Sequence, residues 1–352
     1  MKTRKIITLA ALATLALSSC TNQEDPTADR DNSLLPHDRV IRVSAATTAP
    51  SPFEGSRGNA TRAGMDAEEL RRFTLTIDNA TAPAYSYQNV KMQKSDGIWY
   101  SFANNVDGND TPLTLLWSSA THPVTVTAYQ PYVWASDIHD GVTPSEVGAD
   151  QTRISGSSVS DLLWAKNEVT PADPEANNDI HYDPFTKSLV VQMNHLLSKL
   201  RVNLKYGSSL TQGSGDAPTL SAATLIGTRR HYKFTPATGE VAVNLPYDPQ
   251  DIALSTAETP TPGFDAACEA IVVPQSATFS LRFTIGGQEY LYIYTPAAAG
   301  AAASYTFESG RIYTLDLTVG EITDTRAAGI SAAGSRAVTA TAFCSEEWNA
   351  KK

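Results

Sequence analysis

Cysteine is scarce in this chain of 352 residues: Cys20, Cys268 and Cys344 are too few for a disulfide scaffold. Basic side chains are outnumbered by acidic ones, 27 to 37, for a formal net charge of −10. They are scattered, with no lysine/arginine run, which argues against a nucleic-acid partner. The six histidines (His37, His122, His139, His181, His195 and His231) are dispersed, and no two stand at metal-ligand spacing. Neither a metal nor another cofactor is expected. "SSVSDLL" lacks the glycine turns of a nucleophile elbow, and "GSGDAPTLSAATLIG" has no phosphate-loop lysine after its glycines. No two carboxylates are singled out for glycoside hydrolysis. His195 in "MNHLLSKL" is the one candidate base, and a hydrogen-bonded structural histidine is the simpler reading. Trp99, Trp117, Trp134 and Trp164 fit sheet packing better than sugar stacking. No catalytic constellation forms, so the chain is not expected to be an enzyme.

Long hydrophobic runs are also missing, except one. Lys2, Arg4 and Lys5 precede twelve apolar or small residues, Ile6 to Leu17. That is too short to span a bilayer and has the form of a signal-peptide core. It ends in Leu17-Ser18-Ser19-Cys20, which resembles the lipobox of bacterial lipoproteins; an ordinary signal peptide with a chance cysteine is the alternative. The resemblance implies that residues 1–19 are removed and Cys20 is acylated. Several acyl chains on one residue anchor stably where a single chain is marginal. Export to the outer membrane or cell surface follows. Cys268 and Cys344 then either pair or remain two thiols.

What the chain has in abundance is alternation. "LRRFTLTID", "PVTVTAYQPY", "SKLRVNLKY", "FSLRFTIGGQEYLYIYTP" and "RIYTLDLTVG" repeat apolar residues with period two. That is the mark of half-buried strands. Gly286-Gly287 stands where a hairpin needs positive φ. Only "MDAEELRR" hints at a helical turn. Many short strands between turn residues predict an all-β chain of β-sandwich type. The Pro/Asn/Asp-rich stretch Asn167 to Lys187 is the best internal boundary.

The stretch "IRVSAATTAPSPFEGSRGNATRAG" (41–64) begins as a strand and then loses its apolar residues, leaving Arg57 and Arg62 bare. The order of lipobox, first strand, "TRAG", "GIWY", "VTVTAYQPY", "DLLWAK", "MNHLLSKLRVNL", "EAIVVPQ" and "FESGRIYTLDLTV" resembles the fimbrillin family, the subunits of type V pili. The resemblance covers nearly the whole chain. It implies two tandem transthyretin-like β-sandwich domains: residues 63–178 and 179–325, after a lipidated propeptide, 20–62, and before a tail, 326–352. It further implies that "RVIRVSAA" (Arg39 to Ala46) is a removable strand, cut from the body after Arg62, with Arg57 as runner-up. Another subunit's C-terminal strand would fill the vacated groove.

In the tail, "AVTATAF" alternates, with Val338, Ala340 and Ala342 expected on one face as the donor strand. Lying beyond the last body strand, it is expected to go unused by the chain's own sheets. The function implied is a stalk or tip pilin of a surface pilus, partnered by other pilin subunits in a homo- or hetero-polymer and supporting adhesion. The alternative is a non-polymerising surface lipoprotein or tip adhesin whose partner is a host glycan or protein.

Overall fold

The computed structural model describes residues 33–47, 70–103, 110–152, 161–211, 218–257, 260–295, 304–320 and 338–347. These residues are nearly all β, as the alternation predicts. Gly286 and Gly287, at φ 56° and 76°, turn Ser280–Ile285 back as Gln288–Ile293.

Buried apolar residues gather in two clusters. The first holds Phe73, Leu75 and Ile77 from Arg72–Asp78, and Val124, Val126 and Ala128 from Val124–Gln130. Facing them are Ile180, Tyr182, Leu189, Val191 and Met193. The strand Ser188–His195 carries the fold from one layer to the other. Its first residues pair with Ile180–Asp183, and its last two, Asn194 and His195, pair with Trp164 and Leu163. The second cluster lies between the sheet built on Ser198–Tyr206, Ala266–Val272 and Arg311–Val319 and the sheet built on Leu220–Ile226, Ser280–Ile285 and Gln288–Ile293. Leu200, Val202 and Leu204 point inward there, alternating with Lys199, Arg201 and Asn203 on the opposite side. Residues on both sides of the expected boundary at 178 contribute to the first cluster.

A segment from the first half completes the second. Thr143–Glu146 pairs with His231–Thr235, and Val147 belongs to the second cluster. Just beyond, the buried side chain of Gln151 acts as an extra strand. Its Nε2 donates to the carbonyl of Ile271 (3.0 Å) and its Oε1 accepts from the Ile271 N–H (2.8 Å). Trp164 closes the other side of this junction: its Nε1 donates to the Pro236 carbonyl at 2.8 Å. Gly239, at φ 75°, lies so close that a β-carbon there would sit 2.8 Å from the indole ring. Only glycine meets both the close approach and the positive φ.

Gln151→Ala removes the side-chain partners of two buried backbone groups, the N–H and the C=O of Ile271, at once. An orphaned buried polar group costs roughly 1–3 kcal/mol. The variant is expected to lose about 2 kcal/mol or more of stability, read as a lower urea midpoint at unchanged slope.

Candidate strand-exchange site

The first strand, Arg42–Thr47, lies at one end of its sheet with its apolar side chains against the first cluster. It runs parallel to Ser188–His195, residues 42–47 in register with 188–193. Its approach is held from the other side: Ile41 N–H donates to the Leu115 carbonyl and Trp117 N–H to the Arg39 carbonyl, both at 2.9 Å. The residues just before the strand thus reach Leu115–Trp117, while residues 42–47 pair with Ser188–His195. Alternation directs its side chains, with Ile41 buried in the first cluster and Val43 and Ala45 packed against it. Thr47 is buried too, and its hydroxyl has no hydrogen-bond partner among the described residues. Arg42 and Ser44 face solvent.

Upstream contacts pin the entry to the strand. Leu35 is buried, the Tyr182 hydroxyl donates to the Leu34 carbonyl (2.5 Å), and the Lys187 ammonium donates to the Leu35 carbonyl (3.0 Å). Asp38 holds Arg42 at 2.6 Å. The hydrogen bond from Arg42 takes the Asp38 carboxyl down from 3.8 to about 2. A lowered value means that the pair contributes above the ordinary carboxylate range and is lost as pH falls toward 2. Both groups are about half exposed, so that contribution is small.

The chain leaves this strand through residues 48–69, which include both candidate cut sites, Arg57 and Arg62. Those arginines and Cys20 lie outside the described residues.

The tail strand, Val338–Glu347, is described, and it corrects two expectations. The chain's own sheet does use it: the strand pairs antiparallel with Arg311–Val319 at the sheet edge. Nor do Val338, Ala340 and Ala342 share a face. Thr341 is an extra residue, because Leu317 pairs with Ala340 while Asp316 pairs with Ala342. Such a bulge reverses the side-chain parity beyond it. Val338 and Ala340 stay on the side of Val319 and Leu317, but Phe343, not Ala342, then stands beside Leu315. Its ring centroid lies 4.4 Å from that of Tyr305, within a group that includes Phe279, Tyr294 and Tyr313. Ala340, Ala342 and Cys344 are exposed. Phe343 is the residue that the sequence reading missed. Its only signal was an aromatic ending an otherwise small-residue strand.

The two thiols are unpaired and differ in kind. Cys268 is buried, and desolvation pushes its pKa far above the ordinary thiol range, whereas Cys344 is at the surface. The candidate base His195 is fully buried, with Nδ1 2.7 Å from the equally buried Asp161 carboxylate. That is the geometry of a structural tie between two strand ends. Trp117 is buried edge-on against Tyr182, and Trp99 is edge-on against Phe73.

No curated protein matches the sequence. Among solved structures, a candidate cell adhesion protein from Bacteroides ovatus is similar at TM-score 0.56 and 15% identity, over 89% of this chain and 99% of that one. Another from Bacteroides uniformis is similar at TM-score 0.51 and 20% identity, over 88% of this chain and all of that one. At these identities the likeness speaks for a common β-sandwich fold. The family model described as fimbrillin-like matches residues 60–332, most of the chain, and on that match the protein belongs to the fimbrillin-like family.

Proposed function

We propose that this member of the family is a structural subunit of a cell-surface pilus, built as two tandem transthyretin-like sandwiches and made as a lipoprotein precursor. An arginine-specific protease removes its first strand, and another subunit's C-terminal strand takes the vacant place, so that head-to-tail repetition gives a filament. The observation that carries this reading is the seat of the first strand. It pairs along its length with Ser188–His195, its approach is bonded to Leu115–Trp117 and its apolar side chains pack on the first cluster, yet the chain joins it to the body only through residues 48–69. One cut there would free a segment held by hydrogen bonds and apolar contacts alone. The groove left behind would carry unpaired backbone groups over a bare part of the first cluster, a strong demand for a replacement strand.

One observation favours the second reading, a non-polymerising surface lipoprotein or tip adhesin that contacts a host glycan or protein. The tail strand lies on its own sheet rather than reaching outward. A ladder of multimers in mild detergent that collapses on boiling separates the two.

Arg62→Ala is expected to leave stability within about 0.5 kcal/mol, as exposed substitutions usually do, and to block assembly by blocking the cut. N-terminal sequencing of the assembled form should begin at Ala63. A start at Gly58 moves the cut to Arg57, and a form beginning at Cys20 in assembled filaments rejects strand removal.

Cys20→Ala is expected to abolish palmitate incorporation and release the protein from the membrane fraction. Equal labelling of variant and wild type rejects acylation at Cys20.

A further inference from the structure

Trp99, Trp117 and Trp164 pack with the two buried clusters, and Trp134 packs with neither. It stands half-buried at the start of a short helical turn, Ala135–Asp137, in the loop that follows Val124–Gln130. Its ring lies edge-on to Tyr132, with centroids 5.3 Å apart. Beside this pair is a cleft of about 370 Å³ whose lining includes Tyr132, Asp137, His139 and Thr143. That volume is within the range of small-molecule sites. The loop sits on the outer side of the first sheet. Val133 N–H donates to Thr74 Oγ1 (3.4 Å), and Thr74 alternates with the inward Phe73 and Leu75.

The cleft is braced on both sides. The Lys91 ammonium lies 5.9 Å from the Tyr132 ring centroid, and the Asp110 carboxylate holds it at 2.6 and 2.7 Å, so its charge is already matched. Across from it, His139 and Val142 exchange two backbone hydrogen bonds of 2.9 Å. Between them Asp140 and Gly141 both take positive φ, the conformation of a tight two-residue turn. The chemistry of the lining is selective. Two hydroxyls of lining residues, Thr143 Oγ1 and the Tyr132 phenol, are buried without a hydrogen-bond partner among the described residues. Buried polar atoms are normally satisfied. Burial, with the Asp110 charge nearby, pushes the Tyr132 phenol up to about 12, so it stays a neutral donor. Among the described lining residues there is no lysine or arginine, and the exposed Asp137 carboxylate repels an anion.

We propose that this cleft binds a neutral sugar unit of a glycan, its ring against Tyr132 and Trp134 and its hydroxyls bonded to Asp137 and Thr143. A sugar ring has an apolar C–H face for the aromatic pair. It also has hydroxyls that both donate and accept, as a carboxylate and buried hydroxyls require. A purely apolar ligand would leave Thr143 Oγ1 unmatched, and an acidic one would face Asp137. The inference does not rest on strand removal, since the first strand packs on the other side of the sheet. It holds for a pilus subunit and for a non-polymerising surface protein alike.

The test screens the full chain against an array of neutral oligosaccharides built from galactose, N-acetylglucosamine, mannose and fucose, with sialylated and sulfated counterparts alongside. Neutral glycans are expected to bind in preference to the acidic ones, and the best of them is then titrated by calorimetry. Thr143→Val is the informative variant. Valine keeps the shape and removes a hydroxyl that bonds nothing in the chain, so melting should hold or rise while affinity falls about tenfold. Asp137→Ala, at an exposed position, should melt as wild type and lose affinity by about tenfold or more. Affinity unchanged in both variants places the sugar elsewhere and overturns the site. Preference for sialylated or sulfated glycans overturns the neutral class, and a chain that binds nothing on the array overturns the proposal outright. Strand removal is decided separately, by the N-terminus of the assembled form.

Discussion

The fold of the first half hangs on one parallel pairing, Arg42–Thr47 against Ser188–His195. Parallel neighbours cannot be joined by a tight turn, so such a pair is made between segments distant in sequence. Here almost 150 residues separate the partners, and the strand is surrounded by structure built from other parts of the chain. It pairs with Ser188–His195 on one side, and the residues just before it, Arg39 and Ile41, bond to Leu115–Trp117. Its apolar face closes a gap in the first cluster. Its side chains thus belong to the core although the strand lies at one end of its sheet.

The C-terminal strand also lies at the end of a sheet, and there only Val338 is deeply buried. It pairs with Arg311–Val319 along its length, and its Phe343 ring packs among aromatic neighbours, a contact that depends on a one-residue bulge.

Much of this was legible in the alternation. Leu200, Val202 and Leu204 face the second cluster as their spacing says, and Gly286-Gly287 makes the predicted hairpin. Period two fails where parity is broken or where partners lie far apart in sequence. "AVTATAF" gives no hint of an extra residue at Thr341, because a bulge is decided by the strand opposite. Gln151 reads as one polar residue in a loop, and its pairing with Ile271 appears only when residues 120 apart are brought together. For the same reason Thr143–Glu146 serves the second half of the molecule although it is numbered with the first.

The sequence by itself determined that the chain is all-β and that a strand-like segment precedes a stretch poor in apolar residues that carries Arg57 and Arg62. These are local properties, written in residue type and short-range period. Tertiary structure decided which strands meet, that the first one pairs parallel to Ser188–His195, that the tail rests on its own sheet, and which of its side chains point inward. Strand pairing is a contest among many similar edges, settled by burial and backbone hydrogen bonds summed over distant segments, and no single stretch of sequence carries that sum.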